Sequence, residues 1–258
     1  MATALKVSTI QTKLDWENIN QNLSQLTPKV TMLSGCTDLI VLPEMFTTGF
    51  SMKPTKLAEQ PIGKTLNWLR EQAKHTQAAI TGSYIIKESN NYYNRLVWMN
   101  PDGTFHTYDK KHLFSLSEEP NQYTAGTKKL IVSYKGWKIC PLICYDLRFP
   151  VWSRNVENYD LLLYVANWPE KRAHHWRSLL MARAIENQTY TVGVNRVGND
   201  GNNAYHSGDT SIIDYAGKIL AHTAHVENTT TLALNLEEQQ SFRQQFQFLA
   251  DKDEFTLP

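Results

Sequence analysis

The chain has 258 residues, of which 41% are hydrophobic and 20% charged, a composition typical of a soluble globular enzyme. Its 26 basic and 25 acidic residues give a net charge of +1. The longest cationic clusters, Lys110-Lys111-His112 and Lys171-Arg172, are too short for a nucleic-acid-binding or membrane-binding face, so we expect neither partner.

The cysteines at positions 36, 140 and 144 form neither a zinc-finger pattern nor a C-x-x-C redox pair. Free thiols in a reducing compartment fit this pattern best. Residues 1–6 contain no apolar core of a secretory signal, and no apolar run approaches the ~18 residues that a membrane helix requires. We therefore expect a cytoplasmic protein.

The first half of the chain is predicted to alternate between strands and helices. Its elements are a strand at 4–11, a helix at 16–33, strands at 38–42 and 78–86 on either side of a helix at 64–75, and a hairpin at 92–109. Asp15 is the expected N-cap of the first helix, and Pro28 is expected to kink or split that helix. After Asp38, the predicted strand at 38–42 is continuously apolar, which is typical of a strand buried on both faces.

The second half repeats this alternation. Its predicted elements are a hairpin at 129–144, a strand at 161–166, a helix at 175–188, strands at 190–197, 209–214, 218–223 and 229–235, and a polar helix at 236–249. No linker or low-complexity tract interrupts the pattern, so we predict one α/β domain over residues 1–258. Hairpins require antiparallel pairing, which favours mixed sheets over a doubly wound parallel sheet.

Three residues whose side chains can take part in catalysis follow predicted strands. Glu44 comes after the strand at 38–42, Lys110 after the second hairpin strand, and Cys144 at the end of the hairpin at 129–144. Ligands of open α/β sheets gather at the carboxyl ends of strands. Each residue alone also has an ordinary explanation, namely a cap or ion pair for Glu44, a surface charge for Lys110 and core packing for Cys144.

Four segments in order resemble the nitrilase, or carbon–nitrogen hydrolase, superfamily over residues 4 to 236. They are Leu42-Pro43-Glu44-Met45-Phe46, Tyr108-Asp109-Lys110-Lys111-His112-Leu113-Phe114, Cys144-Tyr145-Asp146-Leu147-Arg148-Phe149-Pro150 and Arg183-Ala184-Ile185-Glu186-Asn187. The resemblance implies a four-layer α-β-β-α sandwich that pairs into homodimers. Residues 236–258 lie beyond the resemblance, and we expect them to form a dimer arm or a surface extension.

The resemblance also implies a catalytic triad of Glu44, Lys110 and Cys144. The family's lysine stands two residues before a histidine, which selects Lys110 over Lys111. A second acidic residue of the family's pattern corresponds to Glu119 better than to Glu118, judged by the distance to Tyr123 and Gly126.

The chemistry of amide hydrolysis fits these residue types. A thiol is mostly protonated at neutral pH, so Cys144 needs a base such as Glu44 or a cation to become a nucleophile. Lys110 is expected to favour the thiolate and to stabilise the carbonyl oxygen, together with the backbone N–H of Tyr145 in an oxyanion hole. A thioester intermediate formed in this way requires no cofactor and no metal. The pair His174-His175 diverges on a helix without a carboxylate at ligand spacing, so we expect no metal site there.

Other residues have two competing interpretations. Arg148 either binds a substrate carboxylate or pairs internally with Asp146. Trp168 is either a pocket wall or ordinary core, and Glu186 is expected to be structural.

Within the superfamily the chain is most similar to the omega-amidases. The similarity lies in residues 144–150, Ala166-Asn167-Trp168-Pro169 and His175-Trp176. It implies a small-molecule amide substrate, with ammonia released from short 2-oxo dicarboxylic monoamides such as 2-oxoglutaramate and 2-oxosuccinamate. The alternatives are a nitrilase or N-carbamoyl amidohydrolase with the same triad, and a non-catalytic binding protein on the same fold.

Overall fold

Two mixed β-sheets form the centre of the computed structural model, which describes residues 4–256. The first sheet contains β1 (Ala4–Gln11), β2 (Leu39–Val41), β3 (Ala79–Glu88), β4 (Asn91–Met99), β5 (Phe105–Asp109) and, from the end of the chain, Asn228–Asn235. The second contains β6 (Val132–Tyr134), β7 (Trp137–Ile143), β8 (Leu161–Ala166), β9 (Tyr190–Asn195), β10 (Val197–Asn199), β11 (Tyr205–Ile213) and β12 (Ile219–Ala224).

The strand order explains why both sheets are mixed. With Asn228–Asn235 labelled β13, the first sheet runs β13-β1-β2-β3-β4-β5, and the second runs β10-β11-β9-β8-β7-β6 with β12 paired to β11. The central pairs β1–β2, β2–β3, β7–β8 and β8–β9 are parallel, and the hairpin pairs at the edges are antiparallel. The prediction of mixed sheets is therefore confirmed.

Helices cover the outer faces of the two sheets. They are α1 (Ile19–Thr31), α2 (Pro54–Leu57), α3 (Lys64–Thr76), α4 (Glu119–Gln122), α5 (Pro150–Ser153), α6 (Ala173–Asn187) and α7 (Leu236–Gln245). α1 and α3 pack together on the first sheet, whereas α6 packs on β9 and β11 of the second. The result is the predicted α-β-β-α sandwich.

The buried strand β2 shows how the sequence produces these layers. Leu39 and Val41 belong to the core between the two sheets, whereas Ile40 and Leu42 belong to the core beneath α1 and α3. All four side chains are fully buried, because successive residues of a strand point to opposite faces and both faces are covered here. Each such burial stabilises the fold by roughly 1.5–3 kcal/mol.

The predicted N-cap of the first helix is wrong, and the helix is not split at its proline. The N-cap is Asn18, whose side chain accepts a hydrogen bond from the Gln21 N–H at 3.1 Å. Asp15 lies before the helix, and its backbone N–H donates to Asn22 Oδ1 at 2.8 Å. Pro28 does not split α1, because Leu26 and Val30 on either side of it are both buried in the same core and hold the helix together.

Element ends shift elsewhere by a few residues. α6 begins two residues before the predicted 175, and the predicted strand at 190–197 divides into β9 and β10. α7 ends at Gln245, and a 3-10 turn at Phe248–Asp251 follows it. No helix within residues 4–256 is long and apolar enough to span a membrane.

Candidate active site

The ends of three strands bring the predicted catalytic residues together. Glu44 follows β2, Lys110 follows β5 and Cys144 follows β7. Lys110 Nζ lies 2.9 Å from Glu44 Oε1, although 66 residues separate them in the chain. The thiol of Cys144 lies close enough to both side chains for them to shift its pKa, which Glu44 raises and Lys110 lowers. The structure thus unites in one site groups that the sequence placed only at strand ends.

Glu44 is fully buried, and each carboxylate oxygen is hydrogen-bonded. Its Oε1 accepts from Lys110 Nζ and from Asn94 Nδ2, each at 2.9 Å, and its Oε2 accepts from the Asn167 N–H at 2.8 Å. The side-chain amide of Asn167 also donates to the Glu44 carbonyl oxygen. These contacts fix the orientation of the carboxylate. Asn94 and Asn167 were missed in the sequence analysis, because nothing near them in the chain indicates contact with Glu44.

A second buried carboxylate, that of Glu119, holds Lys110 from the other side. Lys110 Nζ donates to both oxygens of Glu119 at 2.9 Å, and Glu119 Oε2 also accepts from the Phe114 N–H at 2.6 Å. Burial lowers the pKa of Lys110, but the charges of Glu119 and Glu44 outweigh it, so the pKa lies above its ordinary value. Lys110 is therefore a permanently charged ammonium. The pKa of Glu119 is raised by burial, a shift that Lys110 opposes.

The backbone next to Lys110 depends on a glycine. The Gly126 N–H donates to the Lys110 carbonyl at 2.8 Å. A Cβ at Gly126 would lie 2.1 Å from the Asp109 carbonyl oxygen, well inside van der Waals contact. Only glycine permits this close crossing of the two segments.

Cys144 lies at the sharp turn from β7 into a 3-10 helix, Cys144–Arg148. Its φ of +42° is a left-handed conformation that costs a non-glycine residue about 1–3 kcal/mol. Asp146 holds this turn, since its carboxylate accepts from the Ile143 N–H at 3.0 Å, from the Tyr108 hydroxyl at 2.7 Å and from the His112 N–H at 3.0 Å. Tyr145 is the second residue of the 3-10 helix, so its N–H has no partner within that helix.

The thiol of Cys144 is neutral in the resting site. Burial raises its pKa well above the ordinary value, and the charge of Glu44 and the hydrogen bond to Glu44 raise it further. Lys110 acts in the opposite direction but does not outweigh these effects. The expectation that Lys110 favours a thiolate is thus only partly right. The arrangement instead suits transfer of the thiol proton to Glu44 during attack.

A pocket opens above Cys144 and contains about 490 Å³ of unfilled space, including its mouth to solvent. Its walls are largely aromatic and include Phe50, Phe114 and Trp168. Lys110 lies over the Phe50 ring, with Nζ 5.0 Å from the ring centroid. Because Lys110 and Cys144 both line this pocket, a small molecule bound in it would contact the thiol.

Arg148 and Trp168, the two predicted substrate-binding residues, both line this pocket. The Arg148 guanidinium stacks on Trp168 with Cζ 4.8 Å from the ring centroid, and its Nη2 lies 3.1 Å from His175 Nδ1. The alternative pairing of Arg148 with Asp146 is wrong, because the carboxylate of Asp146 is taken up by the turn. Glu186, on α6, pairs with Arg183 at 2.9 Å.

Two further pocket residues were missed in the sequence analysis. Arg172 lines the mouth, with Cζ 5.3 Å from the Phe114 ring centroid. His206, on β11, lines the inner wall, and burial together with the charge of Arg196 lowers its pKa to about 4, so its imidazole is neutral. In the sequence, Arg172 stood out only as a member of the short cationic cluster Lys171-Arg172. His206 had none.

The fold and the site define a class of protein, namely a hydrolase with a buried cysteine, a carboxylate and an ammonium at the ends of sheet strands. The family model described as carbon-nitrogen hydrolase matches residues 6–244. The chain therefore belongs to the carbon–nitrogen hydrolase family, as its motifs predicted.

Individual relatives extend along nearly the whole chain. It is 43% identical over 256 residues to the omega-amidase YafV of Escherichia coli (strain K12), covering 98% of each chain. It is 31% identical to the 2-oxoglutaramate amidase of Bacillus subtilis (strain 168), covering 92% of this chain and 93% of that protein. The crystal structure of XC1258 from Xanthomonas campestris, a CN-hydrolase superfamily protein with an arsenic adduct in its active site, matches with a TM-score of 0.97 and 41% identity over 99% of each chain.

Proposed function

We propose that this chain is an omega-amidase that releases ammonia from the terminal carboxamide of short 2-oxo dicarboxylic monoamides, with 2-oxoglutaramate and 2-oxosuccinamate as substrates. The observation that carries the proposal is the buried Glu44–Lys110–Glu119 cluster beside the neutral thiol of Cys144. The names of the relatives from Escherichia coli and Bacillus subtilis support this choice of substrate.

In the acylation step, Glu44 takes the thiol proton while Sγ of Cys144 attacks the carbonyl carbon of the amide. The tetrahedral oxyanion is stabilised by the Lys110 ammonium and by the Tyr145 N–H, and one such donor contributes about 3–4 kcal/mol. Glu44 then gives its proton to the leaving nitrogen. Ammonia departs as the carbon–nitrogen bond breaks, and a thioester to Cys144 remains.

Deacylation uses the same groups in reverse. Glu44 removes a proton from water, which attacks the thioester carbonyl, and the oxyanion again lies against Lys110 and Tyr145. The thiolate leaves and recovers the proton from Glu44. The products are a carboxylate and a regenerated enzyme, without any redox change or cofactor.

In this proposal, Arg148 determines the selectivity for substrates that carry a carboxylate. Its guanidinium lies in the same pocket as Cys144, on the face of Trp168. A planar guanidinium forms charge-assisted hydrogen bonds with a carboxylate, which suits a substrate whose far end is a 2-oxo acid.

We also infer that the enzyme acts as a homodimer in the cytoplasm, with residues 1–258 as one domain. An exposed apolar surface supports pairing, since Ile185 on α6 and Ile219 on β12 are 51% and 47% exposed. The segment from α7 onward contacts its own chain, where Arg243 pairs with Asp160 at 3.0 Å and Gln239 donates to the Asp160 carbonyl at 2.8 Å. These contacts favour a surface extension over a dimer arm.

The test is ammonia release across a panel of small amides and nitriles, with mass spectrometry of the intact protein. Wild type should prefer 2-oxoglutaramate, and Cys144→Ala should fold but lose turnover. Glu44→Gln should accumulate a substrate-derived acyl adduct on Cys144, since deacylation also needs the base. Near-normal activity of Cys144→Ala would overturn the mechanism, and a preference for nitriles or carbamoyl compounds would overturn the substrate class.

A further inference from the structure

Two arginines, Arg148 and Arg172, line the same pocket as Cys144. Arg148 belongs to the turn that carries Cys144, whereas Arg172 belongs to the 3-10 turn Glu170–Arg172 before α6. The guanidinium of Arg172 lies over Phe114, whose ring contacts Tyr145 at a centroid distance of 5.0 Å. Both cations therefore belong to the lining of the pocket that contains the nucleophile.

Trp168 connects these two arginines. Its ring supports the Arg148 guanidinium, and its Nε1 donates to the Arg172 carbonyl at 2.8 Å. Its own backbone N–H donates to Asn195 Oδ1 at 2.8 Å, which anchors the segment to the end of β9. A single buried indole thus contacts the guanidinium of Arg148 and the backbone of Arg172, and it connects the two segments that carry these arginines.

Neither charge is neutralised by a carboxylate within residues 4–256. Four other arginines of this part of the chain form an ion pair with a carboxylate, for example Arg177 with Asp209 at 2.8 Å. Asp200 lines the same pocket but forms no ion pair with either arginine, and its Oδ1 accepts the N–H groups of Asn202 and Ala204. An aromatic pocket with two unneutralised guanidinium groups has the chemistry of an anion subsite.

We propose that Arg172 is a second anion-binding residue of the active site, which binds the substrate carboxylate together with Arg148. This inference rests on the proposed function for the identity of the substrate, a 2-oxo acid with an amide at its far end. The carboxylate and the adjacent oxo group present acceptors to both guanidiniums, while the carboxamide reaches Cys144. Arg172 thereby selects charged amides over neutral ones.

The test measures binding of 2-oxopentanoate, which has the 2-oxo acid end of the substrate and a methyl group in place of the amide. Isothermal titration calorimetry compares wild type with Arg172→Met and Arg172→Lys. Lys171→Met is the matched control, because Lys171 is exposed on the same turn and lies outside the pocket. We expect Arg172→Met to weaken binding by about ten- to a hundredfold, Arg172→Lys to weaken it less, and Lys171→Met to leave it unchanged.

Steady-state assays with 2-oxoglutaramate and the neutral pentanamide complete the test. Arg172→Met should raise KM for 2-oxoglutaramate far more than it lowers kcat, and it should lower kcat/KM for pentanamide much less than kcat/KM for 2-oxoglutaramate. Wild-type affinity of Arg172→Met for 2-oxopentanoate, or equal losses on the two amides, would overturn the inference. If Arg172→Met does not fold, Arg172→Lys decides by the same criteria. A different outcome is that wild type binds 2-oxopentanoate in an Arg172-dependent way but does not hydrolyse 2-oxoglutaramate. That outcome would refute the proposed function and support the anion subsite.

Discussion

Replacing Glu119 with glutamine removes one charge from the buried cluster and keeps the shape of the side chain. Both oxygens of Glu119 accept from Lys110 Nζ at 2.9 Å, and Oε2 also accepts from the Phe114 N–H at 2.6 Å. A glutamine amide has one acceptor oxygen, so in either orientation its NH₂ group faces the Lys110 ammonium. The variant therefore places one donor against another at a site where both side chains are buried.

The magnitude follows from the role of Lys110. An unsatisfied buried donor costs about 1–3 kcal/mol, and a charged hydrogen bond contributes about 1.5–3 kcal/mol. If the displaced ammonium loses its contact with the oxyanion, about 3 kcal/mol of transition-state stabilisation is lost, which is about a hundred- to two-hundredfold in kcat. The pKa of Lys110 should also fall, since one of the two carboxylates that raise it is gone.

The assay is steady-state ammonia release, with thermal unfolding measured on the same preparations. Glu118→Gln is the matched control, because Glu118 is exposed and its carboxylate accepts only from Asn121 Nδ2, at 2.7 Å. That control should stay within about twofold of wild type, as surface substitutions change free energies by roughly 0.5 kcal/mol or less. A folded Glu119→Gln enzyme with kcat within about threefold of wild type would show that Glu119 does not position Lys110.

Three further predictions concern the thiol, a buried histidine and assembly. Alkylation of Cys144 by iodoacetamide should be slow at neutral pH and should accelerate as the pH rises, because burial and Glu44 raise the pKa of the thiol. The exposed Cys36 is the internal control. An alkylation rate of Cys144 that is already maximal at neutral pH would contradict this prediction. Since the pKa of His206 is lowered from 6.5 to about 4, the unfolded chain binds an extra proton between these values, and folding stability should fall as pH falls through that range. Urea unfolding of His206→Gln should lose up to about 3 kcal/mol of that dependence, and an unchanged pH slope would contradict the assignment. Light scattering should report a homodimer that Ile185→Glu weakens, whereas a monomeric wild type at micromolar concentration would refute the pairing.

Local sequence determined the strands and the catalytic residue types. Residues 39–42 are apolar at every position, so any fold that uses this run must bury both of its faces, and β2 does so. Glu44, Lys110 and Cys144 each directly follow a strand, and their flanking motifs identify the family without any coordinates. Register within a motif is also local, which is why Lys110 was distinguished from Lys111.

The choice between competing local signals depended on tertiary structure. Asp15 and Asn18 are both good helix caps, but Asn22 is tied to the backbone of Asp15, and α1 begins only after Asn18. Proline strongly disfavours the interior of a helix, but the packing of α1 against the core outweighs this effect at Pro28. Residue type alone cannot determine where α1 begins or whether it continues through a proline, because the deciding contacts lie outside the local segment.

The partners of the site were decided by the tertiary structure alone. Asn94 and Asn167 reach Glu44 across 50 and 123 residues, and the guanidinium of Arg172 lies over Phe114. The neutral state of Cys144 is likewise a property of its burial beside Glu44, and no motif encodes burial. The sequence specified the groups to which we assign the chemistry. Their protonation and orientation follow from long-range packing, since desolvation and hydrogen bonding depend on what the folded chain places around each group.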